Sequence, residues 1–155
     1  MIITKDMAHR ALCLVAPTAE LILGQDNTVW GPRWVDVVVR VPGLDEDIWS
    51  FFGPKGDWDP EWGDGPDFTG YARNKLHAAM RLGHDTSAIV ALCPWLLADG
   101  ENLYPGGFYR LGIGCAASGA MGRVDEAIAS LVGNTLIMLA HLEAGRRVAA
   151  EEMVI

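Results

Sequence analysis

Apolar and polar positions along this chain follow two spacings, and each predicts an element. Met7, Ala8, Ala11, Leu14 and Val15 recur at helical spacing. Thr4 stands where a cap would stand, and Asp6 lies in the first turn, where the helix dipole favours an acid. Pro17 predicts a kink or the start of a second short helix, which Gly24 ends. Residues 34–41 are β-branched and mostly apolar and read as a strand closed by Pro42-Gly43. Residues 46–53 give a weaker strand, and the short gap suggests a hairpin. Over 53–67 no periodicity survives, which predicts a long loop. Asp67 can cap a helix from Phe68 to Leu82, with Gly83 near its end. The apolar run at 86–93 reads as a buried strand. A strand follows at about 108–117, Ser118-Gly119 breaks it, and a long amphipathic helix fills about 123–143. With no repeat and no linker, residues 1–155 read as one α+β domain with a largely antiparallel sheet.

The helix at 68–82 carries the most telling local signal. Tyr71, Ala72, Ala78, Ala79 and Leu82 fall on one side, and Lys75 falls in the middle of it. Such a lysine can snorkel, pair with a carboxylate, or point into a site. Asp125, at the start of the last helix, is an acid suited to the pairing. As a site residue, Lys75 would orient an anion or transfer a proton.

Composition narrows the function classes. Twelve bases against twenty acids give a formal net charge of −8, which argues against a phosphate-backbone binder. No apolar run approaches the roughly 18 residues of a spanning helix, and the first residues do not have the pattern of a secretion signal. Cys13, Cys93 and Cys115 form no C-x-x-C, and an odd number cannot pair fully within one chain. A reduced, cytoplasmic setting is therefore expected.

Asp57, Asp59, Glu61, Asp64 and Asp67 crowd the long loop, but Trp62 and Phe68 stand where an EF-hand requires Gly and Glu. Trp58 and Trp62 lie in the same polar loop, where aromatics line either a ligand pocket or a subunit interface. His9, His77 and His141 project from the polar sides of their helices, and His84 sits at a helix end. No hydrolase, Walker or dinucleotide motif is present; Gly112-Ile-Gly114 begins the last of these, but Gly is absent at 117.

Two stretches together resemble the GlcG/HbpS-like family, which includes the C-terminal domain of PduO-type proteins. Residues 72–86 are similar to its A-R-x-K-A-x-T-A-x-x-F-x-x-P-T pattern, with Lys75 and Thr86 in register and Asp85 in place of proline. Tyr104-Pro105-Gly106-Gly107, Leu111-Gly112-Ile113-Gly114, Ser118-Gly119-Ala120 and Asp125-Glu126-Ala127-Ile128-Ala129 look like its P-G-G, G-x-I-G-x-x-G-x-S-G-A and D-E-x-I-A segments. The N-terminal half departs from the family, with Arg40 where an acid is usual. The resemblance implies a five-stranded, mainly antiparallel sheet flanked by helices. It also implies homo-oligomeric assembly and binding of haem or a related tetrapyrrole.

The leading expectation is therefore a small-molecule-binding protein with haem as its cofactor. Tyr71, Tyr104, Pro105, Gly106, Gly107, Trp58 and Trp62 would line its site. His9, His77, Tyr71 and Tyr104 are the iron-ligand candidates. The competing expectations are an enzyme on a small carboxylated or aromatic metabolite, with Lys75 as the catalytic residue, and a non-catalytic assembly subunit. Nucleic acid and membrane are not expected as partners.

Overall fold

The computed structural model describes residues 3–25, 34–54, 66–101 and 103–150. Helix α1 spans Lys5–Leu23 and begins as the sequence predicts, with the Met7 amide donating to Thr4 Oγ1 at 3.2 Å. It runs through Pro17 as one element. Strands β1 (Val35–Arg40) and β2 (Ile48–Phe52) form the expected hairpin. Arg40 is engaged at its base, donating to both carboxylate oxygens of Asp47 at 2.7 Å. Helix α2 spans Phe68–Leu82 with Asp67 accepting from the Gly70 amide and a left-handed Gly83 at its end.

The sheet corrects three expectations. The run at 86–93 is not a strand: residues Thr86–Leu92 form helix α3, followed by a 3₁₀ turn at Pro94–Leu96. A short, uniformly apolar run has no alternation to separate strand from helix, and here Asp85 stands at the N-cap position of α3. The predicted strand at 108–117 is a hairpin, β3 (Gly107–Arg110) and β4 (Ile113–Ser118). Leu111 and Gly112 turn it with φ of 53° and 82°, the double positive φ of a tight hairpin turn. The described residues thus hold a four-stranded antiparallel sheet in the order β2-β1-β4-β3, not five strands.

Helix α4 (Gly122–Ala149) closes the chain over one face of the sheet beside α1. Alternation in the strands sends Val35, Val37, Val39, Cys115 and Ala117 into that layer, where they meet Ala11, Val15, Ile128, Val132 and Leu136. Residues Val38 and Ala116 point the other way and meet Ala72 and Leu76 of α2. By length and composition alone, α4 is apolar enough to cross a membrane, and 33% of its most apolar window is buried.

Candidate functional site

The two stretches that carry the family resemblance are far apart in sequence and meet beneath α2. Lys75, in the middle of the apolar face, is 2% exposed, and Asp125 is 1% exposed. Lys75 Nζ donates to Asp125 Oδ2 at 2.8 Å, to the Ala117 carbonyl at 3.1 Å and to Ser118 Oγ at 3.4 Å. Those acceptors use all the donors an ammonium has. The other carboxylate oxygen of Asp125 accepts from the Ala120 amide at 2.9 Å. Burial pushes the Asp125 carboxyl up to about 6, against the opposing pull of Lys75.

Thr86 extends the network. Its Oγ1 accepts from the amides of Gly106 and Gly107 at 2.9 and 2.8 Å, and it lies 3.2 Å from Glu126 Oε2. Glu126 also accepts from the Ser87 amide and from Ser87 Oγ. The glycines are dictated by this closeness. At Gly106, with φ of 147°, a Cβ would lie 2.7 Å from both Lys75 Nζ and the Ala117 carbonyl. At Gly107 it would lie 2.7 Å from the Lys75 carbonyl. The Pro-Gly-Gly turn, α2, α3, β4 and the start of α4 are thereby tied at one point.

The structure brings together Lys75, Gly106 and Gly107, with Pro105 packed against Gly122. Tyr71, one turn before Lys75, and Tyr104, just before the turn, are both exposed. The two histidine candidates are set apart from this knot. His77 is an exposed residue of α2 with Nδ1 3.0 Å from Glu101 Oε1. His9 is an exposed residue of α1, on the opposite face of the sheet. Trp58 and Trp62 lie outside the described residues.

Two features escape sequence reasoning. Glu101, in the loop after the 3₁₀ turn, makes a second charge centre with α2: it accepts from Arg81 Nε and Nη2 at 3.1 and 2.6 Å and from the Ala98 amide at 2.8 Å. Arg81, with the Ala98 amide and His77, holds the Glu101 carboxyl down at about 2. No spacing rule joins positions 77, 81 and 101. The other is a groove of about 280 Å³ lined by Ile3, Leu111, Ile113, Ile137, Ala140, His141 and Ala144. Its one weak sequence signal is the spacing of Ile137, Ala140, His141 and Ala144, which puts an imidazole beside an apolar strip of α4. Among the described residues no group of three or more His, Cys, Asp or Glu could hold a metal ion on its own. Comparison with family models, with curated proteins and with solved structures finds no match to this chain.

Proposed function

We propose that this chain is a small-molecule-binding protein of the GlcG/HbpS-like kind, taking haem or a related tetrapyrrole. Support for the family comes from the convergence of residues 72–86 and 104–129 on one network, in which Lys75, Thr86, Gly106, Ser118 and Asp125 each have a structural task. Lys75 acts in it as a brace for the Pro-Gly-Gly turn.

The observation that carries the ligand reading is the groove at His141. Its walls are aliphatic, and a single imidazole stands among them, the donor that holds haem iron in many proteins. Pockets that enclose a drug-sized ligand run roughly 300–1,000 Å³. At about 280 Å³ this groove is smaller than such a pocket, so it would hold only part of a macrocycle. Ile113, Ile137, Ala140 and Ala144 would hold the apolar part of the ligand, and His141 would be the side chain able to ligate iron. When bound, the group would supply the iron and its redox chemistry.

The enzyme reading gains nothing from this geometry, because the Lys75 ammonium is already engaged by acceptors in the interior. Hemin titration of the purified chain tests the proposal. A shifted Soret band saturating at one hemin per chain is expected. His141→Ala should weaken binding at least tenfold with an unchanged melting temperature. If Tyr104→Phe abolishes the band while His141→Ala does not, the ligand sits at the Pro-Gly-Gly turn instead. Absence of any Soret change in the parent protein defeats the tetrapyrrole reading.

A further inference from the structure

The groove at His141 has a charged end. Strand β3 sends Phe108 and Arg110, two residues apart, to the face of the sheet that α4 covers. Ile113, which lines the groove, stands directly opposite Arg110 across the hairpin, so the two side chains share that face about 5 Å apart. Arg110 Nη1 donates to Asn134 Oδ1 at 3.0 Å. Asn134 lies one turn of α4 before Ile137, another lining residue. Asn134 and His141 are seven residues apart, two turns or about 10.5 Å along one face of the helix. The aliphatic walls therefore run between a guanidinium and an imidazole.

Arg40, Lys75, Arg81, Arg146 and Arg147 each meet a carboxylate. Arg110 is held instead by neutral groups, the Asn134 amide oxygen and the Phe108 ring 5.6 Å away, and among the described residues no carboxylate pairs with it. A guanidinium presents its donors as a planar fork that matches a carboxylate. We propose that Arg110 anchors a carboxylate of the molecule bound in the groove, so that the site selects apolar ligands carrying an acid over neutral ones. This inference rests on the tetrapyrrole reading above and sharpens it. Haem carries its carboxylates on one edge of an otherwise apolar ring, which suits aliphatic walls with a cation at one end. A chain of net charge −8 offers an anion no general attraction, so selection for an acid has to come from a local cation.

Soret titration of the full chain with hemin and with hemin dimethyl ester tests this, since esterification removes the carboxylate charges and keeps the ring and the iron. The parent protein is expected to bind the acid about tenfold more tightly than the ester. Arg110→Gln should erase that preference by weakening acid binding alone, with the ester affinity, the Soret position and the melting temperature unchanged. Arg110→Lys should keep part of the preference, because it retains the charge and loses the fork. His141→Ala, by contrast, should weaken both ligands and move the Soret band. A parent protein that binds acid and ester equally overturns the inference and leaves the tetrapyrrole reading standing. A preference for the acid that survives Arg110→Gln assigns the carboxylate to another cation and overturns it as well. A parent protein with no Soret change for either ligand defeats the tetrapyrrole reading and this inference together.

Discussion

Helix α2 carries two charge centres that respond to their surroundings in opposite ways. On its inner face, Lys75 meets Asp125 with both side chains withdrawn from water. On its outer face, Arg81 and His77 meet Glu101, and both side chains of the helix remain partly in solvent. Burial dominates the first and lifts the Asp125 carboxyl to about 6 from an ordinary 3.8. The arginine hydrogen bonds dominate the second and lower Glu101 to about 2 from 4.5. The two carboxyls therefore give opposite pH dependence. Asp125, whose pKa is raised on folding, contributes stability that is fully present below about 3.8 and is lost as pH rises through about 6. Glu101, whose pKa is depressed, contributes stability present above about 4.5 and lost as pH falls towards about 2. A buried ion pair is thus costly to hold and more costly to break, because either partner left alone keeps its desolvation penalty.

The largest effect is expected at the buried centre. Lys75→Met leaves the Asp125 carboxyl in the interior without its cation and should destabilise the fold by about 3 kcal/mol. For a chain of this length that is a drop on the order of 10 °C in Tm. Adding Asp125→Leu should restore much of the loss. A Lys75→Met chain that melts at the parent temperature and loses only ligand affinity would return Lys75 to a site role.

Gly106→Ala comes next. Its Cβ meets the Ala117 carbonyl, a backbone atom that cannot swing aside, at a φ that L residues rarely adopt. A loss of about 2 kcal/mol is expected in urea unfolding; an unchanged midpoint would show that the turn has no such constraint. The smallest effect belongs to the outer centre. Glu101→Gln should cost on the order of 1 kcal/mol at neutral pH and should flatten the fall in Tm between pH 5 and pH 2. A larger loss than that of Lys75→Met would invert the contrast between the two faces.

What the sequence disclosed and what it hid divide along local and non-local lines. Helix α2 is legible to the residue because Asp67 and Gly83 punctuate it. The anomaly of Lys75 is legible because one charge on an apolar face breaks a period, and Asp125 is the acid that the same reasoning offers as a partner. The helix at 86–92 is hidden because an apolar run without alternation fits a strand equally well. The hairpin at 107–118 is hidden because Leu111-Gly112 lacks the Asn-Gly or Asp-Gly signal of such a turn. The groove at His141 and the hold on Glu101 join residues from separate elements, which no local pattern encodes.

Lys75 and Asp125 form a buried, structurally committed pair. A ¹³C NMR titration of the Asp125 carboxyl tests it most directly, in the parent chain and in Lys75→Met held below its melting temperature. A midpoint near 6 is expected in the parent protein, with a further upward shift when the lysine charge is removed, since Lys75 opposes the effect of burial. A midpoint in the ordinary aspartate range that does not move in Lys75→Met would contradict it.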